Sequence, residues 1–270
     1  MGGEATGGRA VSRSGGRIMG GQAVRRSGGR HVRRAAIVSA GVLLSAGPAD
    51  RLTAQVGHDP GQSPYKDVRP GGTLLVSGGY FGGSRGGPGV GLSNGPTAGL
   101  RYEVPFGGAL GVSLGVAYAQ TTRFVVDYTK DSLTRQTGPC TRLTGPCDTD
   151  VLLVDAGLQL ALSGRKTWHG LAPYVGGALG LAIGGGSPPD PSNYDFGSKF
   201  TVAPGAGVRW YPVRRVSVRT DFRVVLWRLT YPREYQVPNA IDGSRVLPPD
   251  VRLTEWTSHP WISVGLGWTF

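Results

Sequence analysis

The stretch Ile262-Ser263-Val264-Gly265-Leu266-Gly267-Trp268-Thr269-Phe270 decides the fold. Ile262, Val264, Leu266, Trp268 and Phe270 fall on one side and Ser263, Gly265, Gly267 and Thr269 on the other, which is the two-residue period of a strand with one apolar face. The step of a helix would scatter the same apolar residues around its axis.

The same alternation recurs upstream. Leu110, Val112, Leu114, Val116 and Tyr118 alternate with Gly111, Ser113, Gly115 and Ala117; Leu152, Val154, Ala156, Leu158, Leu160 and Leu162 alternate with Asp155, Gly157, Gln159 and Ala161. Val175, Leu179, Leu181 and Ile183 oppose Tyr174, Gly176, Ala178, Gly180 and Ala182. Phe200, Val202, Ala206, Val208 and Trp210 oppose Thr201, Ala203, Gly205, Gly207 and Arg209. Val216, Val218, Phe222, Val224 and Leu226 oppose Ser217, Arg219, Asp221 and Arg223. With weaker segments near 72–81 and 97–104, this predicts an all-β, antiparallel up-and-down barrel of about eight strands over residues 72–270. The 47 glycines among 270 residues fit strands and turns far better than helices.

The intervening segments alternate in length. Long loops are predicted at 82–96, 121–149, 185–198 and 230–258, and tight turns at Pro105-Phe106-Gly107, Ser163–Gly170 and Pro212-Val213-Arg214. A membrane barrel places its long loops at one end and its short turns at the other. Periodicity alone leaves open whether the apolar face points out to lipid or in to a ligand, as in a soluble lipocalin-like barrel. Two features favour lipid. Aromatic residues gather near predicted strand ends, as interfacial girdles do: Trp168, Tyr174, Trp210, Tyr211, Trp268 and Phe270 toward the turns, and Tyr80, Tyr118, Phe200, Trp227, Tyr231 and Trp261 toward the loops. The opposite face is rich in Gly and Ala, which an apolar ligand calyx does not need.

The formal charge of +12 first suggests a nucleic-acid partner. Arg9, Arg13, Arg17, Arg25, Arg26, Arg30, Arg33, Arg34 and Arg51, against Glu4 and Asp50, place +7 of it in residues 1–54, so no nucleic-acid partner is expected for the remainder. Within that leader, AAIVSAGVLLSAG at 35–47 follows Arg33-Arg34 and precedes the small-residue exit Leu52-Thr53-Ala54. Its length is that of a signal-peptide apolar region and too short for a membrane-spanning helix. Residues 1–54 therefore read as an N-terminal extension and signal peptide cleaved near Ala54/Gln55, with Met1 or Met19 as the start, and 55–71 as a linker. Cys140 and Cys147, in the polar loop GPCTRLTGPC, read as a disulfide suited to an oxidising compartment. No His or second Cys pair beside them completes a metal site.

HPWISVGLGWTF, ending in Phe270, resembles the terminal strand of bacterial outer-membrane β-barrels, and the pattern from about 70 to 270 is most similar to the small OmpA/OmpX-like eight-stranded family. The resemblance implies placement in the outer membrane with turns on the periplasmic side. It also implies contact with outer-membrane lipid and lipopolysaccharide, and recognition of Ile262, Val264, Leu266, Trp268 and Phe270 by the barrel assembly machinery. No appended peptidoglycan-binding domain is expected after Phe270, so a wall-anchoring role is not carried over.

Chemistry is sparse. The lumen-facing set Arg101, Glu103, Asp155, Arg209, Arg219, Asp221 and Arg223 holds both signs, and an eight-stranded interior is about filled by side chains. It reads as a salt-bridged plug in a monomeric barrel, with a narrow porin-like channel as the alternative. Ser258-His259 with Glu255 is the one Ser/His/acid cluster in a predicted long loop. It reads as a polar approach to the last strand rather than a catalytic set, leaving a lipid-modifying hydrolase as a further alternative. His58 and His169 have no partners at useful spacing. GGSRGG and GGALGLAIGGG lack the Gly-Lys-Ser/Thr ending of a phosphate loop, so no catalytic residue and no cofactor is assigned. The expected role is structural or surface-interacting, with Arg233, Arg245 and Arg252 in the longest loop available to lipid phosphates.

Overall fold

The computed structural model describes residues 63–68, 71–186 and 190–270. The basic leader, Met19, the cleavage point expected near Ala54 and Gln55, and His58 lie outside the described residues.

Ten strands follow in order: β1 (Tyr65–Asp67), β2 (Thr73–Phe81), β3 (Gly95–Pro105), β4 (Leu110–Arg123), β5 (Cys147–Ala161), β6 (Lys166–Trp168), β7 (Leu171–Gly185), β8 (Ser198–Val213), β9 (Val216–Thr230) and β10 (Thr254–Thr269). Apart from the short β1 and β6, each pairs antiparallel with its neighbours in the chain, and β2 closes on β10 from Thr73↔Thr269 to Phe81↔Trp261. The result is a closed eight-stranded up-and-down barrel with no free edge in its wall.

The short connections lie at one end. Val213 pairs with Val216 across Arg214-Arg215, and Gly107 and Gly108, at φ 77° and 54°, make the β3–β4 turn in a backbone region that other residues resist. At the same end β1 and β6 form a small ribbon, Tyr65↔Trp168 to Asp67↔Lys166. A segment expected to be linker is thus partly paired. Phe270 also lies here, its amide donating to the Gly72 carbonyl at 3.0 Å.

Several strands run beyond their predicted limits. The loops shrink to residues 124–146 and 231–253, because β4 continues to Arg123, β5 begins at Cys147 and β10 begins at Thr254. Past the apolar belt the outward residues turn polar, as at Gln120, Asp148, Arg228 and Ser258, which hides the strand from a hydrophobic count. The inward residues stay buried, among them Thr121, Arg123, Thr149 and Thr257.

The burial is inside out for a protein in water. Leu114, Leu158 and Leu266 are 61%, 64% and 62% exposed on the outer wall, whereas Arg101, Glu103, Arg219 and Asp221 are buried inside. On β4 the outward apolar row runs from Leu110 to Tyr118, roughly 26 Å along the strand at ~3.3 Å per residue. A tilt of about 40° reduces that to a height of about 20 Å, near the apolar band of a membrane barrel.

The aromatic girdles need correction. Trp168, Trp210, Trp268 and Phe270 at the turn end, and Tyr80, Tyr118 and Phe200 toward the loops, are exposed as expected, with Tyr211 half-buried. Tyr174, Trp227, Tyr231 and Trp261 are instead buried. The strand period dictates this for the two tryptophans: Trp227 shares a face with Arg219 and Asp221, and Trp261 shares one with Ser263 and Gly265.

Candidate functional site: the filled lumen

The turn-end half of the lumen is built from charges. Arg101 on β3 places Nη2 2.8 Å from both carboxylate oxygens of Asp155 on β5, and Nη1 donates to Ser113 Oγ at 2.9 Å. Glu103, two residues along on the same inward face, receives Arg209 at 2.9 Å and also pairs with Arg219. Arg219 reaches Asp221 at 2.6 Å and donates through Nε to the Tyr174 hydroxyl at 2.6 Å, and that hydroxyl donates to Asp221. Arg223 lies 3.6 Å from Asp155 and 3.5 Å from Asp221.

All seven side chains named by the alternation thus meet inside the barrel, together with Tyr174, Ser113 and Gln159. The Tyr174 ring lies under both Arg209 and Arg219, with the guanidinium carbons 4.8 Å and 4.5 Å from its centre. Gly207 faces this ring so closely that a Cβ there would strike the Tyr174 hydroxyl. The small residues of the wall therefore make room for long cross-barrel side chains. The arginines exceed the carboxylates by one charge, and Arg223, with the longest ion pairs, sits 5.6 Å from the centre of the Trp261 ring. A ring face offers a cation partial compensation of this kind.

Trp261 marks the change to the loop-end half, which is aromatic. His259 stacks on Trp227 at 3.8 Å and on Phe81 at 5.3 Å, and Phe196 meets Trp227 edge-on at 5.4 Å. The Ser84 amide donates to His259 Nδ1 at 3.1 Å, so that nitrogen carries no proton and Nε2–H faces Thr257 Oγ1 at 2.9 Å.

The loops complete this half. Val90 and Leu92, Tyr194 and Phe196, and Tyr235 and Leu247 reach the same apolar cluster from three separate loops. Gly184 leaves the space that Phe196 occupies, since a Cβ there would come within 2.6 Å of its ring. Arg123, fully buried, reaches Asp190 at 3.5 Å and the Tyr194 carbonyl at 3.2 Å. Burial pushes the Tyr194 phenol up to about 12, so it stays a neutral member of the cap.

Above the cap the loops are tied to each other. Asp242 accepts the Ser132 amide at 2.8 Å, and Arg135 donates to Ser244 Oγ at 2.8 Å. Hydrogen bonds from Ser244 and Ser132 hold the Asp242 carboxyl well below the usual carboxylate range. Cys140 and Cys147 form a disulfide, with Cα atoms 4.9 Å apart, that closes the base of the 124–146 loop.

Little space remains in the lumen. A cavity of about 30 Å³ lies beside Arg101, Ser113, Arg219 and Asp221, and another of about 10 Å³ beside Asp155 and Trp261. Each of these has room for a water or two.

The Ser258-His259 pair does not converge. Both lie within β10 rather than in a loop, and because neighbours on a strand point to opposite faces, Ser258 is exposed outside and His259 fully buried inside. Glu255 is engaged elsewhere, accepting the Tyr231 hydroxyl and the Gly87 amide, each at 2.9 Å. Among the described residues no group of His, Cys, Asp and Glu side chains could hold a metal ion. Ile262, Val264, Leu266, Trp268 and Phe270 form an exposed apolar row on the outside of β10.

Closure by eight antiparallel strands, an apolar outer wall and a polar interior at its turn end are together decisive. The chain has the fold of the small eight-stranded outer-membrane barrels. No protein-family model and no curated protein sequence matches it. Among solved structures it is similar to Neisserial surface protein A, at 12% identity over 74% of this chain and 97% of that one, with a TM-score of 0.46. The N-terminal β-barrel domain of Pseudomonas aeruginosa OprF matches at 11% identity over 74% and 98%, with a TM-score of 0.38. The Yersinia pestis attachment invasion locus protein Ail, in complex with the heparin analogue sucrose octasulfate, matches at 16% identity over 74% and 99%, with a TM-score of 0.34. The fold assignment for this barrel rests on its own strand order and burial.

Proposed function

We propose that this chain is a non-enzymatic outer-membrane barrel with a closed lumen that holds its roofed loop end outward as a surface for interaction. The carrying observation is the interior: cross-barrel ion pairs in one half, a loop-capped aromatic layer in the other, and about 30 Å³ in the larger of the two cavities beside the ion pairs. In this reading the chain is secreted through its leader and inserted as a monomer after the assembly machinery engages the outward row of β10. Its turns face the periplasm. Arg233, Arg245 and Arg252, all exposed at the loop end, are placed to meet lipopolysaccharide phosphates. The outward apolar wall argues against a soluble lipocalin-like barrel. The divergence of Ser258 and His259 removes the motif that suggested a hydrolase.

Planar-bilayer recording on the refolded protein tests the closed lumen, with the heat-modifiable shift in gel mobility as the folding control. The folded barrel is expected to pass no steady current. Reproducible steady conductance from the folded species would replace the plug with a narrow channel.

A further inference from the structure

We propose that the turn end of the barrel binds the anionic headgroups of the phospholipid leaflet it meets. The inference rests on the membrane-spanning reading above and adds a partner to it.

The two ends differ in charge. In the loops the basic residues are matched one for one by acids, among residues 82–94, 124–146, 190–197 and 231–253. At the turn end Lys66, Arg165, Lys166, Arg214 and Arg215 are all exposed, and the acidic groups beside them are Asp67 and the Phe270 carboxylate. Among the described residues no ion pair engages any of these five cations.

Their position is set by the fold. The Thr269 amide donates to the Arg215 carbonyl at 2.8 Å, which holds the β8–β9 turn beside Trp268 and Phe270. The Tyr211 amide donates to the Gly170 carbonyl at 2.8 Å, which brings the β6 segment, with Arg165, Lys166 and Trp168, against the end of β8 and Trp210. Trp168, Trp210 and Trp268 are about half exposed, at 52%, 49% and 49%. Exposed indoles mark the depth where hydrocarbon gives way to headgroups. The cations lie just beyond that depth, at the level of lipid phosphates. A basic residue near an anionic membrane surface gains roughly fivefold in association, an effect confined to about a Debye length. A leaflet carrying net negative charge therefore suits this rim better than a zwitterionic one.

The test uses the refolded full-length protein in phosphatidylcholine bilayers containing traces of spin-labelled phosphatidylglycerol or phosphatidylcholine. Electron paramagnetic resonance reads the fraction of each label slowed at the protein surface. The phosphatidylglycerol label is expected to be favoured about threefold or more at low salt. The preference should collapse at high salt and in the combined variant Arg165→Gln, Lys166→Gln, Arg214→Gln, Arg215→Gln. It should persist in a loop-end variant Arg233→Gln, Arg245→Gln, Arg252→Gln. Should the combined variant fold poorly, Arg214→Gln with Arg215→Gln alone, confined to a two-residue turn, is expected to lower the preference. A wild-type barrel that slows both labels equally overturns the inference while leaving the membrane reading intact. So does a preference that survives the turn-end substitutions, carried by the basic leader, or one that disappears with the loop-end set. Absence of any slowed lipid would overturn the membrane reading itself.

Discussion

The two halves of the lumen are filled by opposite means. The turn-end half is made entirely by strands: Arg101, Glu103, Asp155, Arg209, Arg219 and Asp221 project from the wall and neutralise one another across it. The loop-end half is a joint product, with Trp227, Phe81 and His259 from strands and Phe196, Tyr235 and Leu247 from loops. The lesson is that one short barrel can carry two kinds of core. The polar half depends on its charges finding partners, since most of these side chains are buried. The aromatic half depends on loops that must fold inward, and its integrity decides how rigid the outer surface is.

This contrast is open to attack in order of expected effect. Arg219→Ala leaves Glu103 and Asp221 short of a partner in the middle of the polar half and is expected to cost about 3–5 kcal/mol. Urea unfolding of the barrel in lipid vesicles, followed by tryptophan fluorescence, measures it. A loss under about 1 kcal/mol would mean that the network is solvated rather than mutually dependent. His259→Ala removes the acceptor for the half-buried Ser84 amide and the ring stacked on Trp227, for a smaller loss of about 1–3 kcal/mol. Hydrogen exchange should then speed up in residues 82–94 while amides beside Arg101 and Asp155 keep their protection. Equal acceleration in both halves would merge the two cores into one cooperative unit.

Much of this was legible beforehand, for a simple reason. A membrane barrel repeats one rule along every strand, so the apolar alternation from Leu110 to Tyr118 or from Ile262 to Phe270 identifies the strand and its apolar face, and the small residues opposite favour turning that face outward. The same parity named the lumen charges, because Arg219, Asp221 and Arg223 sit at alternate positions of β9. Parity could also have placed Trp227 and Trp261 inside. Their nearness to strand ends points to the rim instead, because tryptophan has a second habitual place at the membrane interface.

What stayed hidden required contacts distant in sequence. Nothing local marks Phe196 or Tyr235 as core residues, since each lies in a polar loop and is buried only when that loop folds back over the mouth. Ser258-His259 resembles loop chemistry because Ser258 and Pro260 interrupt the outward apolar alternation between Trp256 and Ile262, while its inward neighbours Thr257 and Trp261 continue the buried face. The turn-end cations were visible as residues, but their grouping depends on closure of the barrel, which brings the β8–β9 turn beside the last residues of the chain.

The central claim is that the apolar face points outward into lipid. Leu158 stands 64% exposed on the outer wall, in the β5 segment between Leu152 and Leu160. Folding titrations of wild type and Leu158→Arg in bilayer vesicles test the claim most directly. A lipid-facing arginine near mid-membrane is expected to lower stability by about 2–4 kcal/mol, with a smaller loss for arginine placed closer to either interface. Wild-type stability for Leu158→Arg in the bilayer would contradict the outward orientation.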